Sequence, residues 1–556
     1  MSGILIRSIL DPQSSHRYPA FYMLTLPLDP TDDRANPVFK EAAGCAQWLA
    51  QLQLTNLQQA HAKLLNQIDE LNRYPMRGLE RFNTLELLRE TVEHIQNDLS
   101  KKLIDKPLPL NDIELIVLKS IVQLWQAMVT GYQRCLQAQI DGDAQLADHG
   151  ALLCQRCLIY SGKEIFEYLR TGYQFSAELW QQLHELYGHA EQQQFHQNEV
   201  SDPLSGTDSG NSCVSSYIKT LLACYANPSQ MTHWQTQRMD RWLTLWAGTV
   251  TLDRSYARSK NDAQPLAIDM SSTRGLQPVD GLQHTEAMRY LGMVPLSKLL
   301  RVKTILLQQG QTPLQVGLGD HFDASGCLDL LVLLHQLWCE NKRKRAAVRR
   351  NVSTNTVVCY KPEGIYSHLT GKSFKQREVN VYNLSRVESA TAVQPSKELV
   401  KLGYPLEDWV IRNESATGAG LIRNSESGER LRCRQLVALR PDNAQYFTLG
   451  AIAWSQVNLS GKLQLGIKYL PGRPEPVRIH ILSINPSTSK IVAPAFVLPA
   501  LPQLKIPASL IVPRDWFVPK RMLELNYPDG KSQAVQLGIS VERGMDYERV
   551  SFTVKS

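Results

Sequence analysis

The 556-residue chain has no uninterrupted apolar run of membrane-spanning length. The nearest approach, Leu328 to Trp338, falls short of the roughly 18 residues a span needs and includes His335 and Gln336. Met1 to Pro30 lacks the basic head, apolar core and small-residue cleavage site of a secretory signal, so none is expected. Cysteine is sparse: ten residues at no repeating interval exclude the disulfide framework of a small secreted domain and point to a reducing cytoplasm. Charge of one sign is also scarce, since a net charge of +7 is modest for this length and argues only weakly for a polyanionic partner. Catalytic motifs are missing too. There is no Gly-x-Ser-x-Gly and no phosphate-cradling Gly-x-x-x-x-Gly-Lys-Ser/Thr, and Gly317-Leu-Gly319 lacks the third glycine of a dinucleotide fingerprint. A non-enzymatic protein is expected.

The size exceeds what one hydrophobic core organises, so two or three domains are expected. The front of the chain reads as helix. Between Phe39 and Ile68, Ala46, Leu49, Leu52, Leu57 and Leu64 recur at threes and fours with Gln, Asn and Lys between them, the pattern of an amphipathic helix. Further helices are expected at Gly78–Leu103, Asn111–Ala138, Ala144–Leu169, Ser176–Gln194, Ser215–Tyr225, Thr232–Trp246 and Gly326–Arg343, with Asn111 or Asp112 capping the third of the set. Leu266–Met270 reads as a strand inserted among them. No residue pattern repeats at a fixed interval, so a bundle and an irregular solenoid both remain open.

Near Arg345 the hydrophobic spacing changes from threes and fours to alternation. Strand-like segments follow at Thr354–Tyr360, Val379–Tyr382, Trp409–Arg412, Gln435–Leu439, Phe447–Val457, Leu463–Tyr469 and Val477–Ile484, a spacing that suggests an antiparallel barrel. A Pro-rich connector, Pro494 to Pro507, then leads to a β segment over Ser509–Lys555, whose Tyr527-Pro-Asp-Gly530 is a hairpin turn signal. The fold class is thus α+β and multidomain: an N-terminal all-α region over 1–340, a barrel over 341–485 with an insertion at about 361–407, and a connector with a small β unit over 486–556.

Much of the basic charge gathers in Lys342-Arg343-Lys344-Arg345, followed by Arg349-Arg350. The run Arg345-Ala-Ala-Val-Arg349, the later Asn413-Glu-Ser415-Ala-Thr-Gly418, and the strands Gln435–Leu439, Ala451–Val457 and Leu465-Gly-Ile-Lys-Tyr-Leu470 come in the order found in PilZ domains. Over about residues 342 to 480 the chain resembles that family. The resemblance implies a receptor for cyclic di-GMP, a bacterial second messenger, with Arg345, Arg349 and Arg350 gripping the ligand from a basic arm and Asn413, Ser415 and Gly418 contacting it from the barrel. Arginine suits such a ligand because its planar fork grips phosphate or the O6/N7 edge of guanine bidentately. The sequence departs from the family in its spacing: 63 residues (350 to 412) separate Arg349 from Asn413, and Arg377 and Arg386 are fallback candidates within that stretch. The expected partners are cyclic di-GMP and an unidentified protein met by the helical region, with no cofactor, no metal and no membrane insertion. The rival reading is a scaffold or nucleic-acid-binding protein whose degenerate barrel has lost the dinucleotide and whose residues 342 to 350 contact phosphates.

Two other constellations are weighed and set aside. Cys154-Gln-Arg-Cys157 has metal-ligand spacing but lies in an apolar helical stretch without a second pair, which favours core cysteines. His184 and His189 are five residues apart, so they miss the i,i+4 face on which two imidazoles meet one ion. Trp125, Trp180, Trp234, Trp242 and Trp246 sit at helix-like intervals and read as core.

Overall fold

The computed structural model describes residues 24, 26–206, 211–256, 266–279, 282–320, 323–340, 348–374, 403–425, 427–482 and 491–555. The first ten helices are α1 (Ala42–Gln51), α2 (Leu57–Arg73), α3 (Gly78–Ser100), α4 (Asp112–Ile140), α5 (Gly150–Thr171), α6 (Ala177–Gln192), α7 (Cys213–Ala226), α8 (His233–Trp246), α9 (Val294–Gln308) and α10 (Ala324–Trp338). Local chemistry sets several boundaries. Asn111 accepts from the Glu114 amide while the Glu114 carboxylate accepts from the Asn111 amide, a complete capping box at the start of α4. Thr232 and Gln235 do the same for α8. The single helix expected over Phe39–Ile68 is two, because Asn56 caps a new start by accepting from the Gln59 amide.

Helix α4 is long and apolar enough to cross a membrane by composition alone. Here that apolarity faces protein: Val117, Ile121, Leu124, Met128, Tyr132 and Leu136 are buried against α2, α3 and α5. Four short strands interrupt the helices, β1 (Thr251–Asp253), β2 (Leu266–Asp269), β3 (Gln277–Pro278) and β4 (Met288–Gly292), hydrogen-bonded in the order β1-β4-β2-β3. The strand expected at Leu266–Met270 is β2.

The first barrel consists of β5 (Arg350–Tyr360), β6 (Glu407–Ser415), β7 (Gly418–Arg423), β8 (Leu436–Pro441), β9 (Thr448–Val457) and β10 (Leu463–Tyr469), closed in the order β10-β7-β6-β5-β8-β9 with every ladder antiparallel. Helix α11 (Pro362–Thr370) follows β5 directly. The segment Val379–Tyr382 lies outside the described residues. One end of the barrel holds a buried polar network. The Trp409 indole donates to the Tyr360 hydroxyl at 2.8 Å, that hydroxyl donates to Glu407 at 2.9 Å, and Glu407 pairs with Arg423 at 3.1 Å. Pairing within the network offsets most of the cost of burying these groups, although Arg423 Nε is left without a hydrogen bond.

The second barrel corrects two expectations. It is a closed ring in its own right, β11 (Glu475–Ile481), β12 (Val492–Leu498), β13 (Ser509–Pro513), β14 (Met522–Asn526), β15 (Ser532–Arg543) and β16 (Tyr547–Val554), in the order β11-β12-β13-β16-β15-β14. The strand expected at Val477–Ile484 therefore opens this barrel and does not close the first one. The stretch expected as a Pro-rich connector, Pro494 to Pro507, takes in most of β12. Pro494 pairs with Arg478 of β11, whereas pairing to β13 begins only at Phe496, so the proline sits where the strand is paired on one side alone.

One continuous apolar core runs from α1 through α10 into the first barrel, where it takes in Val358, Trp409, Ile411, Leu421, Ile452 and Leu465. The second barrel has a core of its own built on Val477, Ile479, Leu510, Leu523, Val535 and Val550. Between the barrels, Ile365 and Tyr366 of α11 pack with Phe374, Phe447, Phe496 and Tyr547.

Candidate functional site

The start of β5 lies along the end of β6, with Arg350 opposite Glu414 and Asn351 opposite Asn413. Bulges between Asn351 and Thr354, and between Ile411 and Asn413, break the ladder here, and bulges of this kind re-aim side chains. Strand β6 turns tightly into β7 with Ser415 opposite Gly418. The Ser415 hydroxyl donates to the Gly418 carbonyl at 3.2 Å and so braces the turn.

This geometry joins two of the residues singled out in the sequence. Arg349 Nη1 donates to Asn413 Oδ1 at 3.0 Å although the two are 64 positions apart. Arg350 begins β5 and is exposed, and Ser415 and Gly418 close the adjoining hairpin. Arg345 lies outside the described residues, as do Arg377 and Arg386. Beside the hairpin the Tyr469 hydroxyl donates to Glu414 at 2.7 Å, and burial together with that carboxylate pushes the phenol's pKa up.

Gly418 has a structural requirement of its own. A Cβ there would stand 2.1 Å from the carbonyl oxygen of Ile467, so the residue must be glycine for β10 to pack against β7, whatever binds nearby. Gly420, Trp454 and Lys468 share the face and were not singled out in the sequence. Across the sheet, Asn413 pairs with Gly420, Gly420 with Gly466 and Gly466 with Trp454, so these four residues form one row. The Trp454 indole lies over Gly466, where a Cβ would come within 1.9 Å of its Nε1. In the neighbouring row Gly418 pairs with Lys468. The spacing of Gly418 and Gly420 was a visible signal, but the partners of a row spread over four strands are not adjacent in sequence.

The other constellations have structural explanations. Cys154 and Cys157 are completely buried on α5; Cys154 Sγ contacts the Leu186 carbonyl at 3.2 Å, and burial holds the Cys157 thiol far above its ordinary pKa. His184 is held by the Tyr217 hydroxyl at 2.7 Å and the Arg274 carbonyl at 3.1 Å, and burial lowers its pKa to about 4. Trp242 and Trp246 stack in the core with ring centroids 5.2 Å apart. Ser297, His335 and Glu340 line up at 2.9 and 3.2 Å and tie α9 to the end of α10.

The barrel is joined to the helices by backbone as well as side chains. Leu108 and Leu431 exchange two amide hydrogen bonds of 2.8 Å, and Val457 bonds to the Gly172 carbonyl and the Gln174 amide at 2.8 and 2.9 Å. In the helical region, α3, α5, α7 and α8 surround a cleft of about 700 Å³ whose walls carry Arg89, Lys163, Arg170, Lys219, Asp202 and Asp240.

The fold defines a helical protein bearing two closed six-stranded antiparallel barrels, the first of them the one that resembles a PilZ domain in sequence. Residues 42–258 match the family model described as the N-terminal domain of the cyclic-di-GMP receptor FimW, and residues 482–554 match the FimW C-terminal β-barrel domain. Together these matches span just over half of the chain, and the PilZ-like barrel lies between them. A protein of Pseudomonas aeruginosa named cyclic-di-GMP receptor FimW is 23% identical over 567 aligned positions, which cover 91% of this chain and 90% of that protein. The chain belongs to the FimW family.

Proposed function

We propose that this chain is a cyclic di-GMP receptor, without enzymatic activity, that binds the dinucleotide at the first barrel and passes its occupancy to the helical region. The observation that carries the reading is the hydrogen bond from Arg349 to Asn413, which brings the basic arm onto the Asn-x-Ser-x-x-Gly hairpin. The full-length similarity to a protein named as a receptor for this nucleotide supports it. Arg345, Arg349 and Arg350 supply charge-assisted donors for phosphate and guanine, the Asn413 carboxamide recognises a base edge, and the Ser415 hydroxyl adds a neutral contact. Gly418 serves by letting the hairpin sit close on β10.

Ligand held between the arm and the hairpin restrains the arm. The arm follows closely on α10, and the barrel's core is continuous with that of the helices, so the restraint has a physical path into the front half. The helical region then presents its surface to a protein partner, with the cleft among α3, α5, α7 and α8 as the natural concavity. The ligand is an intracellular messenger, so the protein works in the cytoplasm.

A calorimetric titration of the full chain with cyclic di-GMP, run beside GTP and a short DNA duplex, tests the reading. Saturable heat with cyclic di-GMP alone is expected. Heat with the duplex and none with the dinucleotide would defeat it in favour of a nucleic-acid-binding role.

A further inference from the structure

Lys468 occupies a place in the candidate site that its neighbours in sequence do not reveal. Ser415 pairs with Gly418 across β6 and β7, and Gly418 pairs with Lys468 across β7 and β10. Cross-strand partners point to the same face of a sheet. Lys468 therefore shares the outer face of the barrel with Ser415, at about 10 Å, two strand spacings, and the residue between them has no side chain. Arg349 approaches this surface from the other side, by way of Asn413.

The ammonium of Lys468 ends 3.1 Å from Glu542 Oε2, which belongs to β15 of the second barrel. The other carboxylate oxygen of Glu542 accepts from the Tyr547 hydroxyl at 3.0 Å. The ion pair stands at the edge of a cleft of about 160 Å³ between the barrels, lined also by Arg434, Ala451, Arg543 and Tyr547. It is a poorly protected pair, with Lys468 60% and Glu542 24% exposed. Water screens such pairs and holds them weakly. A phosphodiester on the Ser415 side offers the same ammonium a competing anion, and a compact point charge suits phosphate better than a base edge.

We propose that Lys468 is a phosphate-binding residue of the nucleotide site and that bound ligand takes it from Glu542, so that occupancy of the first barrel loosens its joint with the second. The inference rests on the cyclic di-GMP reading above. A cyclic dinucleotide carries two phosphodiesters, and Arg349 and Lys468 place one cation on each side of the hairpin. The joint does not come apart, because the Met545 amide still bonds to the Arg434 carbonyl at 2.7 Å and the Leu436 amide to Asp546 at 2.9 Å. The change is local to β15 around Glu542.

The test is calorimetry of the full chain with cyclic di-GMP for wild type, Lys468→Met and Glu542→Gln, with hydrogen exchange followed across residues 541–543. Lys468→Met is expected to weaken binding about tenfold, the loss of one charge-assisted contact. Glu542→Gln removes the competitor and is expected to tighten binding severalfold, which a purely structural role for the pair would not produce. Exchange in 541–543 should rise with nucleotide in wild type and stay level in Lys468→Met. If wild type binds and Lys468→Met binds equally well, or Glu542→Gln fails to tighten binding, this inference is overturned and the receptor reading stands. If wild type gives no heat, the receptor reading falls and takes this inference with it.

Discussion

Arg430 of the first barrel reaches into the helical region and clamps Pro109, donating from Nε to its carbonyl oxygen at 2.8 Å. The same guanidinium bonds the Pro107 carbonyl at 2.9 Å and pairs with Glu114 in the first turn of α4. These contacts flank the reciprocal bonds of Leu108 and Leu431, so side chain and backbone hold the same crossing together. Arg430→Ala takes one donor from the Pro107 and Pro109 carbonyls and one from the Glu114 carboxylate, a loss on the order of 2 kcal/mol. Scanning calorimetry is expected to show a lower first transition for the variant, with helices and barrel less tightly coupled. A thermogram superimposable on wild type would mean that the clamp contributes nothing.

Binding should depend most on the residues that the structure joins. If the proposed site holds the nucleotide, Arg349→Ala, and Arg345→Ala in the arm before it, should each cost a charge-assisted contact of about 1.5 to 3 kcal/mol, roughly a tenfold to hundredfold loss of affinity. Asn413→Ala should fall in the same range, because it also frees Arg349 from its anchor. Ser415→Ala should cost less, since only a neutral hydroxyl is lost. Titration of the four variants checks the ranking, and Ser415→Ala as the most damaging of them would contradict it.

Gly418→Ala is expected to act on folding before it acts on binding. The new methyl would meet the Ile467 carbonyl, a backbone atom that cannot swing aside, and forcing β7 away from β10 costs about 1 to 3 kcal/mol. Denaturant unfolding should show the loss with no ligand present. A variant of wild-type stability that still fails to bind would instead place the ligand directly against Gly418.

The joint between the barrels should respond to pH through Asp546. Its carboxylate accepts from the Leu436 amide, but burial dominates and raises its pKa from 3.8 to about 6. A carboxyl whose pKa is raised in the folded state contributes its full stability below the ordinary value, and that contribution is lost as pH rises through about 6. Asp546→Asn keeps an acceptor for Leu436 and carries no charge. It should therefore unfold at higher temperature than wild type at pH 8, with the difference closing toward pH 4. Parallel melting curves across that range would exclude Asp546 as the titrating group.

Much of this molecule could be read from local signals. Helices α3 to α8 announce themselves by period, and α4, α7 and α8 by capping residues as well, with the Asn111 cap where its residue type and position suggested. The Asn413–Gly418 hairpin was visible as a motif because its contacts span six residues. What stayed hidden is non-local. Val477 looks like any alternating strand, and only its pairing with β12 and β14 assigns it to the second barrel. Trp454 and Lys468 join the site through cross-strand neighbours that lie tens of positions away, and no spacing rule on one strand reports which row a residue will enter. The glycine at 418 was read as a ligand contact, and the group that stands against it in the structure is the protein's own backbone.

Both barrels are closed rings, which constrains how another protein can engage this one. A partner that binds by adding a strand needs a row of unpaired amides and carbonyls, and a closed ring has no such row. Among the described residues, open sheet edges remain only at β1 and β3, which are three and two residues long. Neither is long enough to template a β-strand of ordinary length. Among the described residues, what is left to offer a partner is side chains on helix faces and loop tips, where substitutions can alter the surface while both barrels stay as they are.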